Sequence, residues 1–430
     1  MKWCIRLLCL MLLVSCLIPA PEAAEYIEVT ASGNRQLKMA VVPPQPAGSV
    51  IRPELANEAA DVTGFDLAMS GVVATERRSA APQPGALGLS TIDFVPWLSA
   101  GFDLLVLGEY EVRGEELTLE FRLFDVVGKK QLAVKRYLGK KKDLRRFAHA
   151  FSDEVLQALT GVRGSFSSKV VYVSSQTGSK EIWQMDWDGH DPQQMTRNKS
   201  ITISPDVSPD GREILFTSYK RGNPDLYKRA FSSTVEVPVA SFRGLNITGS
   251  WSPDGSKIAL ALSKDGNTEI YTINRDGSGP KRLTVSHAAN VSPAWSPDGA
   301  MIAFVSDRLG KPQVYLMDAA GGNVRRISPN GSYSVNPAWS PDGTKIAYAR
   351  SAGGFQIFTV NADGSSHTQL TSEGSNERPR WSPDGRLIVF SSRRGGAEAI
   401  YVMRADGSGQ TKVSRSGGTS SHPVWTPQPK

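Results

Sequence analysis

Short apolar runs recur at a nearly constant interval through the second half of the chain. Each run is followed by an aliphatic–aromatic pair, such as Ile270-Tyr271 or Ile400-Tyr401, and then often by Asp-Gly. Runs of this length, bounded by Gly, Pro, Asp and Ser, are typical of β-strands joined by tight turns. The runs that predict the second strand of each unit are Ile214–Phe216, Ile258–Leu260, Ile302–Phe304, Ile346–Tyr348 and Leu387–Phe390.

The turn before each apolar run has the sequence Ser-Pro-Asp-Gly. Pro fixes φ at the second position, Asp accepts hydrogen bonds from the following backbone, and Gly tolerates a positive φ. A Trp precedes every copy except the first, where Val207 replaces it, and its ring can fill the gap between neighbouring sheets. These residues are therefore expected to be structural. The copies begin 44, 44, 44 and 42 residues apart, at Ser208, Ser252, Ser296, Ser340 and Ser382.

The number of units follows from the second strands, which are predicted to begin at residues 169, 212, 257, 301, 345 and 386. A period near 44 residues is that of a four-stranded propeller blade. The strand at 170–173 lacks a Trp and turn before it, whereas Trp425 lacks strands after it. We therefore expect residues 419–430 to pair with 169–200, so that 169–430 form a six-bladed β-propeller closed by the C-terminal strand. Such a ring has no exposed sheet edge.

Residues 25–162 lack the repeat and predict a separate α/β domain, joined to the ring by a linker at 163–168. A loop rich in Pro and Gly is expected at 83–90. The last helix is amphipathic, with Phe147, Phe151 and Val155 at helical spacing. Strands are predicted at Leu37–Val42, Leu104–Leu107, Leu117–Phe124 and Gln131–Tyr137, and helices at Pro53–Ala68 and Leu144–Leu159.

Residues 1–24 have the pattern of an export signal. Lys2 and Arg6 precede an apolar core at 7–18 that is too short to span a bilayer, and Ala24 offers a cleavage point. Residues 13–16 also have the form of a lipobox, which would make Cys16 a lipidated N-terminus. Cleavage after Ala24 predicts a periplasmic protein that is only peripheral to the membrane, and lipidation is the alternative.

Composition excludes several kinds of chemistry. All three cysteines lie in the signal segment, so a chain cleaved after it has no disulfide, thiol nucleophile or zinc thiolate site. The net charge of +7 is mild and the basic residues form no long run, so no nucleic-acid partner is expected.

The sequence offers no clear catalytic or metal constellation. It has no Gly-x-Ser-x-Gly elbow, and its five histidines show no ligand spacing. The segment 186–191 faintly resembles a calcium loop but lacks the downstream bidentate Glu, and it also fits a simple hairpin turn. We therefore expect a non-enzymatic protein without cofactor, metal or catalytic residues, and keep a secreted hydrolase as an alternative.

An export signal, a small α/β domain and a six-bladed propeller of Trp-Ser-Pro-Asp-Gly repeats, in this order, resemble the TolB family over essentially the whole chain. The stretch 149–166 resembles the last helix and linker of that family. Residues 25–33 resemble its mature N-terminus, which favours cleavage after Ala24 over lipidation.

The resemblance implies a periplasmic scaffold of the Tol–Pal envelope system that supports outer-membrane integrity and constriction during cell division. In this family the propeller mouth binds the lipoprotein Pal, and the mature N-terminus binds the C-terminal domain of TolA. Other outer-membrane lipoproteins are further candidate partners. The alternating N-terminal segment could add a strand to a partner sheet or be an internal edge strand. It comprises Glu25, Tyr26, Ile27, Glu28, Val29, Thr30, Ala31, Ser32 and Gly33.

The candidate mouth residues precede the Trp of each unit, where the innermost strands begin. The family has a His where this chain carries Leu245. A glycan- or peptidoglycan-binding propeller outside the Tol system is the alternative use of this mouth, although the residues are mostly small or polar. They are Leu245, Asn246, Thr248, Asn290, Ser292, Ser334, Asn336, Asn376, Glu377, Arg378 and His422.

Overall fold

The computed structural model describes residues 36–78, 91–329, 333–415 and 417–429. They form an α/β domain followed by a ring of six four-stranded sheets. The predicted signal at 1–24, the N-terminal segment 25–33 and the loop at 83–90 lie outside the described residues. Within the described ranges, no helix is long and apolar enough to cross a membrane.

The α/β domain is built on one mixed sheet in the order β3-β1-β4-β5-β6, with the short β2 paired to β4. Its strands are β1 (Leu37–Val41), β2 (Gln45–Pro46), β3 (Val73–Arg77), β4 (Leu104–Arg113), β5 (Glu116–Asp125) and β6 (Lys130–Lys140). Its helices are α1 (Pro53–Met69), α2 (Val95–Ser99) and α3 (Leu144–Thr160), the last preceded by a 3-10 turn at Lys141–Asp143.

The apolar pattern of α3 explains its place in this domain. Phe147, Phe151 and Val155 are buried together with apolar residues of α1 and the sheet. Phe151 stacks on Phe121 of β5 with ring centroids 4.7 Å apart. The two long helices therefore share a core with the sheet, and a smaller core around Phe94, Phe102 and Phe124 also includes α2 through Trp97. The predicted α/β architecture is confirmed.

The ring consists of short strands in chain order. They are β7 (Lys169–Thr177), β8 (Ser179–Asp186), β9 (Gln193–Gln194), β10 (Thr202–Val207), β11 (Glu213–Ser218), β12 (Asp225–Ala230), β13 (Val237–Ala240), β14 (Asn246–Trp251), β15 (Lys257–Leu262), β16 (Glu269–Asn274), β17 (Lys281–Arg282), β18 (Asn290–Trp295), β19 (Met301–Ser306), β20 (Gln313–Asp318), β21 (Arg325–Arg326), β22 (Ser334–Trp339), β23 (Lys345–Ser351), β24 (Phe355–Asn361), β25 (Thr368–Gln369), β26 (Asn376–Trp381), β27 (Leu387–Ser392), β28 (Ala399–Arg404), β29 (Thr411–Lys412) and β30 (Ser420–Trp425).

Successive groups of four strands from β10 to β29 form blades 1 to 5, each antiparallel and meandering from the inner to the outer edge. Blade 6 has the order β30-β7-β8-β9. Its inner strand comes from the C-terminus and pairs with β7, with Trp425 opposite Val170. The predicted closure of the ring by the C-terminal strand is thus observed.

The second strand of each blade is buried on both faces because blades stack side by side. In β15, Ile258 and Leu260 pack against blade 1, whereas Ala259 and Ala261 pack against blade 3. This explains why the sequence shows continuous apolar runs there instead of alternation.

Three of the Trp residues that end an inner strand are hydrogen-bonded to the preceding blade. The indole Nε1 of Trp339 donates to the carbonyl of Ala294 in the preceding blade, at 3.2 Å. Trp381 and Trp425 make the equivalent bonds to Ala338 and Arg380, each at 3.2 Å. The indole groups thus pack in the gap between neighbouring sheets, as predicted.

The α/β domain contacts blades 5 and 6 on the side of the ring that carries the Ser-Pro-Asp-Gly turns. Arg386, just after one such turn, donates to Thr160 Oγ1 at 2.9 Å. Phe166 of the predicted linker is 2% exposed and packs on Trp187 of the β8–β9 turn, with centroids 5.2 Å apart. The segment 163–168 is therefore a packed part of the domain interface.

Candidate functional site

A cavity of about 310 Å³ lies on the ring axis and is lined by the six innermost strands. Each of these strands contains a β-bulge, and each bulge begins with a residue at a positive φ between 52° and 56°. Outside glycine this backbone conformation is uncommon, so its sixfold recurrence marks a feature of the architecture. The six bulge residues all line the cavity, and they are Ser204, Thr248, Ser292, Asn336, Arg378 and His422.

The bulge decides which side chains reach the cavity. In β14, Asn246 pairs with Leu262 and Ile247 with Ala261, but the register shifts before Ser250 pairs with Ala259. Thr248 and Gly249 thus stand opposite a single residue, Leu260. In a regular strand Asn246 and Thr248 would share one face. The bulge breaks this alternation, so that Thr248 lines the cavity and Asn246 is buried.

Five of the residues predicted from the sequence are therefore brought together in the cavity wall, namely Thr248, Ser292, Asn336, Arg378 and His422. Ser204 is a sixth that the sequence reasoning missed. The candidate residues are those that precede the Trp of each unit, and blade 1 has Val207 in place of that Trp. Counting one period of 44 residues back from Thr248 would have found Ser204.

Four of the predicted mouth residues are instead fully buried, which corrects their expected position in a solvent-lined funnel. They are Asn246, Asn290, Ser334 and Asn376, each 0% exposed. Nδ2 of Asn376 donates to Gln356 Oε1 of blade 4 at 2.8 Å and to the carbonyl of Glu373 at 2.8 Å. The Asn side chains thus tie the start of the inner strand to the loop before it.

Two predicted residues lie beside the cavity. Leu245 is exposed and immediately precedes β14, as Ile201 precedes β10 and Tyr333 precedes β22. These three residues, called the apolar rim below, lie at the ends of the inner strands opposite the Ser-Pro-Asp-Gly turns and the α/β domain. Glu377 occupies the register position of Ile247 and is half-buried, with Oε2 3.9 Å from Arg378 Nη1.

The charged residues of the cavity lie in blades 5, 6 and 1. Arg378 and Arg380 come from β26, His422 from β30 and Asp206 from β10. Burial, followed by the positive charges of Arg378, Lys180 and Arg380, holds the pKa of His422 well below its usual range, so its imidazole is neutral at pH 7. Burial raises the pKa of Asp206 to about 6, against the lowering effect of its bond from the Trp251 amide.

A second cluster of titratable groups lies in the domain interface. His149 of α3 is 3% exposed, and its Nδ1 lies 2.8 Å from Asp66 Oδ2 of α1. Its Nε2 faces Asp188 of the β8–β9 turn at 3.8 Å. Burial disfavours the imidazolium, but the carboxylates of Asp66 and Asp188 outweigh it and leave the pKa of His149 raised.

His149, Asp186 and Asp188 are close enough to share a metal ion, yet their charges are already matched. Lys169 Nζ pairs with Asp186 at 2.5 Å, and Arg145 pairs with Asp188. The turn itself is closed by backbone bonds from the Asp186 amide to the His190 carbonyl and from the Gly189 amide to the Asp186 carbonyl, as in a simple hairpin. This donor set therefore fits an ion-pair network better than a cation site.

Comparisons with known proteins agree with this architecture. Residues 156–429 match the family model of the TolB beta propeller domain, and residues 25–132 match that of the TolB amino-terminal domain. The Tol-Pal system protein TolB of Geobacter sulfurreducens is 57% identical over 421 residues, covering 97% of this chain and 98% of that protein. Its namesake from Geobacter metallireducens is 58% identical over 425 residues, covering 98% and 99%.

Among solved structures, the crystal structure of TolB from Acinetobacter baumannii is similar with a TM-score of 0.81 and 27% identity. The match covers 92% of this chain and 98% of that chain. Both domains and their order are thus shared with these relatives. The chain belongs to the TolB family.

Proposed function

We propose that this protein is a non-enzymatic periplasmic scaffold of the Tol–Pal system, and that its propeller mouth binds the lipoprotein Pal. The observation that carries the proposal is the cavity on the ring axis, whose wall combines the side chains of the six bulge residues with Pro and Trp side chains. Relatives that match almost the whole chain are named Tol-Pal system protein TolB. The role in outer-membrane integrity and cell division follows from membership in that system.

The mouth has the composition of a protein-binding surface. Ile201, Leu245 and Tyr333 are 49%, 36% and 43% exposed, and they immediately precede the inner strands of blades 1, 2 and 4. Exposed aliphatic and aromatic side chains are the kind that anchor protein partners, and here they lie at the same end of the ring as the polar starts of the inner strands. Among the described residues, the α/β domain contacts the other side of the ring and does not cover this end.

Chemistry at the cavity is disfavoured by the arrangement of its polar groups. Ser421 Oγ lies 2.9 Å from His422 Nδ1, which superficially resembles a nucleophile and its base. However, Ser421 is only 4% exposed, and the charges that act on the imidazole from the described part of the chain are the cations Arg378, Lys180 and Arg380. A working pair needs an accessible hydroxyl and a base held by a third group.

A second contact is proposed at the mature N-terminus, where residues 25–33 would bind the C-terminal domain of TolA. The alternation of Tyr26, Glu28 and Thr30 with Ile27, Val29 and Ala31 supports a strand that adds to a partner sheet. These residues lie outside the described part of the chain. Deleting residues 25–33 is expected to abolish TolA binding in a pull-down assay and to leave Pal binding intact.

The test of the mouth is titration calorimetry of residues 25–430 against the soluble domain of Pal from the same organism. Thr248→Arg places a long side chain inside the cavity and is expected to weaken binding at least tenfold. Thr368→Arg is the matched control, because Thr368 is exposed on the outer strand β25. The affinity of Thr368→Arg for Pal should remain within twofold of that of the natural chain.

Either negative outcome has a clear meaning. If the natural chain shows no heat with Pal, the Pal assignment is wrong, and soluble peptidoglycan fragments become the next ligand to titrate. If Pal binds but Thr248→Arg binds equally well, the partner surface lies away from the cavity.

A further inference from the structure

Arg378 and Arg380 bring two guanidinium groups into the cavity from one strand, β26. Within the described residues, Arg378 forms no hydrogen bond, and its nearest ion-pair partner is Glu377 at 3.9 Å. Arg380 Nη1 donates to the carbonyl of Pro379 at 3.0 Å. A guanidinium has five N–H donors, so most donors of both groups are unused.

Both guanidinium groups are incompletely solvated. Burial lowers the pKa of Arg378 and of Arg380, and the charge of Arg378 adds to this effect on Arg380. Asp206 of blade 1 opposes this lowering of the Arg380 pKa, but the two side chains do not reach salt-bridge distance. A half-buried cation without hydrogen-bonded counter-charge is energetically unfavourable until an anion reaches it.

Charge balance indicates which anion fits. With His422 neutral, the cavity wall carries two positive charges and the single negative charge of Asp206. Glu377 beside the cavity partly balances Arg378, since its Oε2 lies 3.9 Å from Arg378 Nη1, so at most one positive charge is left over. A single carboxylate therefore fits this site better than a phosphate dianion, whose second negative charge would have no partner. Arginine binds carboxylates through paired N–H donors, which gives direction as well as affinity.

We propose that blades 5 and 6 form a carboxylate-binding subsite in the channel, which takes one Asp or Glu side chain from a loop of the protein partner. This inference rests on the proposed function, because the loop enters through the mouth. The apolar rim of Ile201, Leu245 and Tyr333 lies on blades 1, 2 and 4, so the partner presents an apolar surface there and its acidic residue on the other side.

The test uses calorimetry of residues 25–430 with the soluble domain of Pal. Arg378→Gln and Arg380→Gln should each weaken binding by about 10- to 100-fold, as loss of a desolvated charge pair does. Asp206→Asn removes the competing negative charge and should strengthen binding. Lys412→Gln is the control, since Lys412 is an exposed cation on β29, the outer strand of the same blade.

A double-mutant cycle identifies the acidic residue. Amide variants of the acidic loop residues of Pal are tested one at a time against the natural chain and Arg380→Gln. One of them should weaken binding to the natural chain and have no further effect on Arg380→Gln. Equal affinity of all the arginine variants for Pal would overturn the subsite and leave the proposed function intact.

A second probe tests the subsite even if Pal does not bind. N-acetylglutamate amide and its uncharged glutamine counterpart are added at millimolar concentration while the His422 imidazole signal is followed by NMR. The glutamate compound should shift this signal in the natural chain but not in Arg380→Gln. If neither compound, or both equally, shift the signal, the carboxylate subsite is wrong whatever Pal does.

Discussion

His149 is enclosed between carboxylates that belong to different domains. Asp66 of α1 lies against its Nδ1, and Asp188 of the propeller faces its Nε2, while Asp186 contributes a further negative charge. Arg145 joins Asp188 to Glu58 of α1 and so balances part of this charge. The proton on His149 therefore contributes to the attachment of the α/β domain to the ring.

The sign of the resulting pH dependence follows from the raised pKa of His149. The folded chain holds the proton more tightly than the unfolded chain, whose His pKa is about 6.5. This stabilisation is fully present below about pH 6.5 and is lost as pH rises through the folded pKa.

We therefore expect the melting temperature to fall as pH rises above about 6.5, and to fall less steeply in His149→Gln. The measurement is differential scanning fluorimetry across pH 6 to 8.5. His287→Gln changes an exposed histidine and should reproduce the natural slope. An unchanged slope in His149→Gln would show that the interface histidine does not exchange protons on folding.

At the scale of the strand, the Trp residues divide into two groups. Trp339, Trp381 and Trp425 donate Nε1 to a carbonyl of the preceding blade. Nε1 of Trp251 and Trp295 is buried and has no protein partner within the described residues. The indole therefore fills the same gap between blades with and without an inter-blade hydrogen bond. Comparing the two groups separates the contribution of the hydrogen bond from that of packing.

Replacing Trp339 by Phe removes this bond and leaves the Ala294 carbonyl without its donor. Replacing Trp295 by Phe makes the same change of ring and removes an unsatisfied N–H instead. Trp339→Phe should therefore be less stable than Trp295→Phe by about 1 kcal/mol in urea denaturation. Equal losses would mean that only ring packing matters at this position.

The sequence predicts elements well wherever the pattern is local. The helix predicted at Leu144–Leu159 is observed at Leu144–Thr160, and the strand predicted at Leu37–Val42 at Leu37–Val41. Ring closure also followed from the sequence, because Trp425 stands one period after the last full unit. Hydrophobic periodicity and turn residues contain this information directly.

The cavity wall could be predicted only in part, because its side chains are oriented by the bulges. Simple alternation places Asn246 and Thr248 on one face, yet only Thr248 lines the cavity. The residue type does not reveal where the bulge lies, since Ser, Thr, Asn, Arg and His all occupy the positive-φ position. Arg380 and Asp206 were missed for the same reason, as their positions lie beyond the bulge.

For the whole molecule, the two domains share one continuous core. Trp187 of the propeller is 0% exposed, stacks on Phe65 of α1 at 5.3 Å and donates Nε1 to Asp66 at 3.2 Å. It belongs to the same buried cluster as Phe151 of α3 and Val170 of β7. A large apolar contact of this kind restricts relative domain motion.

Trp187→Ala is expected to uncouple the domains by removing about 3–5 kcal/mol of packing. Scanning calorimetry should then resolve two transitions where the natural chain shows one. Trp187→Phe keeps an aromatic ring between Phe65 and Phe166 and should retain the single transition. A single transition in Trp187→Ala would place the coupling in the polar contacts, such as Arg404 with the Ala68 carbonyl at 2.8 Å.

Closure of the ring by β30 predicts that the last strand can be separated from the rest of the chain. A chain ending at Gly418 lacks the partner of β7 and exposes both an unpaired sheet edge and the apolar contacts of Val424 and Trp425. We expect this chain to melt at lower temperature and to aggregate.

Adding a peptide of residues 419–430 should restore monomer and raise the melting temperature, since strands can be supplied in trans. A peptide with Trp425→Ala and Val424→Ala is the control, and it should fail because backbone pairing alone does not fill the gap beside blade 5. If the truncated chain were as stable as the natural one, closure would come from packing between blades and not from the terminal strand.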